Sequence, residues 1–218
     1  MRAQAWCAVA LAAACVLPSA AQTSATLLNP DDKAFRALAP PRFYVKLETS
    51  KGLILLDVER RLSPHGVDRF YNLVRHGFYD NAGFFRVVRP RFAQFGIPAD
   101  PAVAQAWRTR TIPDEPRVAS NLRGAVSYAF ATPNGRTTQI FINLQNNSDT
   151  FDAEPFVPFA HVIDGMQVAD SLFHEYGEAS GGGIRAGKQD ALFAEGNAFL
   201  LRQFPKLDYI VRASVWPL

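Results

Sequence analysis

Histidine, cysteine and serine most often carry hydrolytic, redox or metal-dependent chemistry, but their spacing in this 218-residue chain supports none of these. The four histidines are His65, His76, His161 and His174. They form no HExxH pair, and no two are close enough in sequence to act as a local pair of metal ligands. The chain also lacks the GxSxG motif that presents the nucleophile of an α/β hydrolase. The sequence therefore disfavours zinc-dependent and serine-dependent hydrolases of these types.

Two further segments have the composition of a ligand-binding loop without its spacing. An oxygen-rich cluster at residues 146–154 lacks the glycine and the ligand spacing of a Ca²⁺ loop. A turn is its simpler interpretation, with a metal site as the alternative. Three glycines at 181–183 indicate a flexible loop and not a phosphate cradle, because no strand precedes them and no Lys-Ser/Thr pair follows.

The first 21 residues have the pattern of a targeting segment. A positive Arg2 is followed by an uncharged, alanine-rich apolar run and then by small residues before Gln22. This pattern predicts a signal peptide over residues 1–21 and a chain that is periplasmic or secreted. The run is shorter than the roughly 18 residues that a membrane-spanning helix needs. A buried N-terminal helix is one alternative, and a weak lipobox at 11–15 leaves lipoprotein anchoring at Cys15 open as another.

Cysteine usage and charge exclude further classes. Both cysteines, Cys7 and Cys15, lie inside the targeting segment, so a mature chain would hold no disulfide, thiolate nucleophile or cysteine-based metal site. Hydrophobic residues make up 48% of the sequence and charged residues 20%, which is typical of a folded globular chain. The net charge is only +3, without a block of like charges, so nucleic acid is not an expected partner.

The hydrophobic pattern predicts a polar, proline-rich arm at residues 22–41 and one domain over residues 42–218. Alternating apolar residues indicate a half-buried strand at 43–47. A short turn joins it to a more buried strand at 53–58, which predicts a hairpin.

A helix follows the hairpin, and several short strands follow the helix. Ser63 before Pro64 is typical of a capped helix start, and Gly77 ends the helix. Further strands are predicted at 84–88, 125–129, 140–144, 159–163 and 209–215, and a second helix at 168–173. Short strands without a regular alternation with helices favour an antiparallel barrel or sandwich.

Five segments carry a resemblance to a known family. They read FFRVV at 84–88, QFG at 94–96, GAVSYA at 124–129, TTQIFIN at 137–143 and FVPFAHVIDGM at 156–166. In this order and with these gaps they resemble the cyclophilin family of peptidyl-prolyl cis-trans isomerases, and we expect a bacterial, exported member. The resemblance implies a mainly β fold, a closed eight-stranded antiparallel β-barrel capped by two α-helices.

The implied reaction is rotation about an amide bond. The X–Pro bond has partial double-bond character, with a barrier of roughly 18–20 kcal/mol. A fixed cation that donates to the prolyl nitrogen favours the twisted state, in which resonance is lost, over either planar one. No bond is broken, so the resemblance implies no nucleophile, metal or cofactor. The implied partners are proline-containing segments of unfolded or exported proteins, bound by a chain that we expect to be a monomer.

The resemblance assigns roles to ten residues. Arg86 takes the position of the catalytic arginine, and Gln94 that of the glutamine that steadies the arginine and binds the substrate backbone. Substrate-binding positions are implied for Phe85, Phe92, Ala129, Phe130, Gln139, Phe141, Phe151 and Phe156. Each assignment has a plainer alternative: a surface arginine on a strand, a strand-end glutamine, a turn residue or simple core packing.

Two departures from the family pattern leave the activity open. Either Arg91 takes the place of a pocket phenylalanine, or a shift of one residue at Arg89-Pro90 puts Phe92 in the pocket. A charge in the pocket would favour the alternative function, a weakly active or inactive peptide-binding module or holdase. Residues 174–195 match nothing in the family and indicate an inserted loop. Thr150-Phe151 stand where the family has a tryptophan associated with ciclosporin, so poor binding of the drug is expected.

Overall fold

The computed structural model describes residues 25–181 and 188–216. The predicted signal peptide and both cysteines lie outside the described residues, as do Gly182 and Gly183. The strands are β1 (Arg42–Thr49), β2 (Gly52–Glu59), β3 (Arg86–Val88), β4 (Phe92–Phe95), β5 (Ala125–Tyr128), β6 (Ile140–Asn143), β7 (Pro158–Asp164) and β8 (Ile210–Trp216). The helices are α1 (Pro64–Arg75), α2 (Pro101–Trp107), α3 (Ser148–Phe151), α4 (Met166–Ser171), α5 (Asp190–Glu195) and α6 (Asn197–Gln203), with 3-10 helices at Lys33–Arg36 and Arg60–Leu62.

The eight strands form one curled sheet in the order β3-β4-β6-β5-β7-β2-β1-β8, and every neighbouring pair is antiparallel. A short bridge between Gly83 and Tyr209 links the segments that precede the two edge strands. Beside it, Phe84 N donates to Asp208 O at 2.9 Å. The predicted mainly β fold with eight antiparallel strands is confirmed.

The predicted N-terminal hairpin is confirmed as β1 and β2. Phe43, Val45 and Leu47 point into the core, with exposures of 2% or less, while the residues between them face outward. The turn sets the register, so that Thr49 lies opposite Gly52. Gly52 has a φ of +135°, which side chains rarely adopt.

The first helix begins as predicted, but its cap differs from the expectation. Ser63 occupies the N-cap position, yet its hydroxyl makes no capping bond and donates instead to the Glu115 carboxylate. Glu115 accepts the free backbone N–H groups of His65 at 2.7 Å and Gly66 at 3.3 Å. A carboxylate is the stronger acceptor at the positive end of a helix dipole, so a distant residue replaces the local cap.

Glu115 also compensates a buried charge. The Arg136 side chain is fully buried, and its Nη2 lies 3.0 Å from Glu115 Oε2. Burial acts to raise the pKa of Glu115, but hydrogen bonds from Ser63, the His65 backbone and Arg136 outweigh it and hold this pKa below its ordinary value. Glu115 therefore joins the start of α1, through its hydrogen bonds, to the loop before β6, through its ion pair with Arg136.

Several element bounds differ from those predicted, and four of the six helices in the described residues were not predicted, among them α3, which lies where a turn was expected. The strand expected at 84–88 begins at Arg86, and the helix expected at 168–173 is α4, which begins at Met166. Helices α2, α5 and α6 have only six or seven residues each. Such short helices show too few turns for their periodicity to be distinct.

The described part of the predicted arm packs against the helices. Trp107 Nε1 donates to Leu27 O at 2.8 Å, and Asn72 Nδ2 donates to Ala37 O at 2.7 Å. Helices α2, α5 and α6 enclose a second hydrophobic cluster, separate from the barrel core, to which Phe85 contributes. Among the described residues, no helix has the length and apolar character needed to cross a membrane.

Replacing Glu115 by alanine should lower the free energy of unfolding by about 3 kcal/mol, because it removes the closer of the two carboxylates that compensate the buried Arg136 guanidinium and leaves only Asp114, at 3.5 Å. Chemical denaturation measures this change. Glu59→Ala is the matched control: its partner Arg61 is 70% exposed, so the loss should stay within about 1 kcal/mol. Equal losses in the two variants would contradict a special role for the buried pair.

The same variant predicts a pH dependence. A carboxyl whose pKa is lowered in the folded state adds stability that is fully present above its unfolded pKa of about 4.3. That contribution is lost as the pH falls through the folded-state pKa. The difference in unfolding free energy between the parent and Glu115→Ala should therefore be constant at neutral pH and narrow below about pH 4. A difference that widens in acid would refute the assignment.

Candidate active site

The alternation of β3, β4 and β6 divides their side chains between two faces. Val87, Ala93 and Ile142 belong to the barrel core. In the register of these strands Arg86 lies opposite Gln94, and Gln94 opposite Phe141, so these three side chains share the other face. The outer face of the barrel therefore brings together the predicted catalytic and binding residues.

An open cavity of about 410 Å³ lies on this outer face. Its floor is aromatic: Phe92 and Phe141 have ring centroids 5.6 Å apart, and Phe151 lies 5.5 Å from Phe141. Phe156 packs against Phe151 at 4.8 Å, and Phe130 against Phe156 at 4.6 Å. The cavity offers an apolar surface of the kind that holds a ring.

Arg86 stands at the edge of this floor with a defined set of partners. Its guanidinium lies 4.9 Å from the centre of the Phe92 ring, a cation–π contact. Nη1 donates to Gln94 Oε1 at 3.0 Å, while Nε and Nη2 donate to the two carboxylate oxygens of Glu178 at 2.8 and 2.9 Å. The side chain is only 13% exposed. A cation is thus held beside an apolar pocket.

Gln94 belongs to a chain of hydrogen-bonded amides, in which Gln139 and Gln189 donate to each other. It accepts from Arg86 and donates through Nε2 to Gln139 Oε1 at 2.8 Å. Gln139 Nε2 in turn donates to Gln189 Oε1 at 2.9 Å. Because Gln94 is 4% exposed and both ends of its amide are engaged, the oxygen that faces Arg86 is fixed in place.

A polar loop supports the helix that supplies Phe151. Asp152 Oδ1 accepts from Asn121 N at 2.9 Å and from Asn121 Nδ2 at 2.8 Å. Burial acts to raise the pKa of Asp152, but these hydrogen bonds outweigh it and hold the pKa below its ordinary value. Asn147 Nδ2 donates to Arg91 O at 2.8 Å. The oxygen-rich cluster at 146–154 thus includes α3 and hydrogen bonds that support the groove.

The structure separates the two alternatives for the pocket. Phe92 is 6% exposed and packs with Phe141 and Phe151. Arg91 is exposed at the rim, where its guanidinium lies 5.0 Å from the centre of the Phe151 ring. The turn before it contains a cis Arg89-Pro90 bond. Phe92 therefore contributes its ring to the aromatic floor, whereas Arg91 lines the cavity from its exposed rim.

Nine of the ten predicted site residues line the cavity, and one does not. Ala129 and Phe130 form one wall, and Ala129 N is bonded to Gln139 O at 2.9 Å. Phe85 is fully buried in the second hydrophobic cluster, with Phe193 and Leu200 among its members. The assignment of Phe85 to substrate binding is corrected: Phe85 lies just before β3, and its ring packs into the cluster that α2, α5 and α6 enclose and not into the groove.

Sequence reasoning missed the residues that the inserted segment supplies. Glu178 and Gln189 contact Arg86 and Gln139, and Phe193 lines the cavity together with Arg108, which lies outside this segment at the end of α2. Glu178 is one acidic residue in a segment that matches no motif, so nothing in the sequence indicated a contact with a residue 92 positions away.

The fold is similar to that of a solved structure. A cyclophilin-type isomerase of Cryptosporidium parvum superposes with a TM-score of 0.58 at 17% identity, over 81% of this chain and 99% of that one. The same fold therefore recurs at low sequence identity.

Sequence comparisons identify the family. The family model described as cyclophilin type peptidyl-prolyl cis-trans isomerase/CLD matches residues 44–182, and the chain belongs to this family. Peptidyl-prolyl cis-trans isomerase B of Escherichia coli is 29% identical over 59% of this chain and 82% of its own length. Peptidyl-prolyl cis-trans isomerase ppi1 of Schizosaccharomyces pombe is 31% identical over 59% of this chain and 83% of its own length. The expected membership of the cyclophilin family is confirmed.

Replacing Phe92 by alanine should weaken binding of a proline-containing peptide by about ten- to a hundredfold, because it removes part of the aromatic floor that contacts the proline ring, and truncating such a pocket residue costs on the order of 2 kcal/mol. Arg91→Ala should change affinity by less than about threefold, because an exposed residue at a rim contributes little. Titration calorimetry measures both affinities. Circular dichroism checks the fold, and Phe92→Leu provides a milder change. Equal losses for Arg91→Ala and Phe92→Ala would mean that the arginine side chain reaches into the pocket.

Proposed function

We propose that this cyclophilin-type peptidyl-prolyl cis-trans isomerase uses Arg86 as the catalytic cation and Gln94 as its partner in the groove. The observation that carries the proposal is a guanidinium, fixed by Gln94 and Glu178, beside an aromatic pocket. The residues that the family pattern implies meet here from β3, β4 and β6.

The mechanism follows from what holds the amide bond planar. In the planar forms the prolyl nitrogen shares its lone pair with the carbonyl, and in the twisted form the lone pair returns to nitrogen. A donor aimed at that nitrogen stabilises the twisted form more than either planar form. The floor of Phe92, Phe141 and Phe151 holds the proline ring while the preceding residue rotates.

The positive charge of Arg86 makes its N–H groups suitable donors. Hydrogen bonds from a charged donor are about twice as strong as neutral ones. The site is partly shielded from water, which strengthens them further. Gln94 holds the guanidinium in place, and the backbone at Ala129 lies beside the pocket for an extended peptide. Nothing in this mechanism requires a nucleophile or a proton acceptor.

The position of Arg91 bears on the alternative of an inactive binding module. That alternative depended on a charge inside the proline pocket, and Arg91 lies at the rim. Its guanidinium lies over the Phe151 ring, while the Phe92 and Phe141 rings pack against each other at 5.6 Å. The geometry therefore favours an active isomerase over a holdase.

The N-terminal sequence supports the proposal that the protein is exported. An uncharged apolar run after Arg2 and small residues before Gln22 are typical of an export signal. We propose that the mature protein begins at Gln22, is periplasmic or secreted, and acts as a monomer on proline-containing segments of exported proteins.

Exchange NMR on a short X–Pro peptide tests the catalytic role. Replacing Arg86 by alanine removes a charge-assisted hydrogen bond of about 1.5–3 kcal/mol, so the catalysed exchange rate should fall about 10- to 100-fold. The dissociation constant of the peptide should change much less. Arg89→Ala is the matched control, because Arg89 lies on the neighbouring turn outside the groove and should keep the parent rate.

Two results would contradict this role for Arg86. One is catalysed exchange at the parent rate in Arg86→Ala. The other is an equal loss of catalysis and peptide affinity, which would make the arginine a binding residue without a specific effect on the twisted state.

Intact-mass analysis of the protein expressed in a Gram-negative host tests export. The mass recovered from the periplasm should correspond to a chain that begins at Gln22. A mass that retains the first 21 residues would contradict cleavage, and a lipid adduct at Cys15 would replace the proposal by a lipoprotein anchor.

A further inference from the structure

The segment between α4 and α5 lies directly against the catalytic arginine. At Gly181 an added Cβ would stand 2.6 Å from both Cβ and Cγ of Arg86, so the backbone there passes within contact distance of the arginine stem. Three residues earlier, Glu178 binds the guanidinium. This segment carries none of the five motifs read from the sequence, and the family model ends within it, at residue 182.

Glu178 uses one particular edge of the guanidinium. Its oxygens accept from Nε at 2.8 Å and from Nη2 at 2.9 Å, a bidentate arrangement that fixes both the position and the plane of the group. Gln94 alone would provide one neutral acceptor at 3.0 Å, about which the guanidinium could turn. The carboxylate removes this freedom.

A count of the N–H groups of Arg86 shows which of them can still donate to a substrate. A guanidinium carries five N–H groups. Glu178 accepts two of them and Gln94 accepts one, which leaves one on Nη1 and one on Nη2 without a partner in the described ranges 25–181 and 188–216. Because Glu178 occupies the Nε–Nη2 edge, these two point away from it.

The segment that supplies Glu178 is itself anchored. Phe173 N donates to Asp208 Oδ2 at 2.7 Å, and Tyr176 packs against Phe173 at 4.9 Å and Phe204 at 5.1 Å. At its other end Gln189 is bonded to Gln139. These contacts hold the backbone near Glu178 in place. The Glu178–Arg86 ion pair therefore differs from one between two flexible surface side chains.

We propose that Glu178 is a positioning residue for catalysis: it holds Arg86 by the Nε–Nη2 edge so that the remaining N–H groups are presented to the prolyl nitrogen. This proposal rests on the proposed role of Arg86. Glu178 touches no substrate and acts only through the arginine. The inserted segment thereby contributes to the active site that the barrel strands provide.

The test compares Glu178→Ala with Glu175→Ala. Glu175 lies in the same segment, is exposed and has no hydrogen bond or ion pair to Arg86. Exchange NMR should give a kcat that is lower by on the order of tenfold for Glu178→Ala, in the range of couplings between contacting residues. Peptide affinity should stay within about twofold, and Glu175→Ala should match the parent. Glu178→Gln, which keeps one acceptor oxygen, should lie between the two.

A double-mutant cycle separates positioning from general support of the fold. If Glu178 acts through Arg86, the Arg86→Ala and Arg86→Ala/Glu178→Ala variants should have the same residual rate. In ¹H–¹⁵N spectra the Arg86 Nε–H signal of the parent should be protected from exchange, and Glu178→Ala should lose this protection.

Three outcomes would overturn the proposal. If Glu178→Ala keeps or raises the parent kcat, the carboxylate does not position the arginine for catalysis. If Glu178→Ala lowers the rate of the Arg86→Ala variant by the same factor by which it lowers the rate of the parent, the role of Glu178 is structural. If Arg86→Ala alone keeps the parent rate, Arg86 is not the catalytic cation, and Glu178 cannot act through it. The rate of this single variant therefore distinguishes a failure of the proposed role of Arg86 from a failure of the proposed role of Glu178.

Discussion

The two-residue alternation of β3, β4 and β6 is the constraint on which the groove depends. Successive side chains of a strand point to opposite faces of the sheet. Val87, Ala93 and Ile142 face the barrel core. Arg86 and Gln94 must then face outward, and the hydrogen-bond register places them opposite each other. Burial of the core thus fixes the active-site geometry, since a slip of one residue would exchange the two faces.

A second requirement is that the catalytic cation be both shielded and compensated. Removing a guanidinium from water has a cost that a single neutral hydrogen bond does not offset. Here the carboxylate of Glu178, the amide of Gln94 and the ring of Phe92 each interact with Arg86. Every one of these contacts leaves the charge on arginine, so the group is held in place and remains a charged donor.

The sequence predicted those parts of the protein that depend on local patterns. The hairpin and the start of α1 followed from alternation and from Ser63-Pro64, and the motifs around Arg86 and Gln94 indicated the family. The pairing of Ser63 with Glu115 was not predictable, because it joins residues 52 positions apart. Phe85 was misassigned for a related reason: it packs into a cluster formed by helices that the sequence did not predict, more than 100 positions further along the chain for α5 and α6.

The turn at Arg89-Pro90 and the strand after it determine which of two neighbouring side chains, Arg91 or Phe92, joins the floor of the pocket. Both residues follow the same Arg89-Pro90 turn, and the sequence allowed either to enter the pocket. The structure places Phe92 opposite Val88 across the strands, which commits its ring to the face that carries Arg86. Arg91 is then left at the rim, where its backbone oxygen binds Asn147 and its side chain covers the edge of Phe151. Arg91, the residue that could have placed a charge in the pocket, instead supports the loop and the helix that form the wall of the pocket.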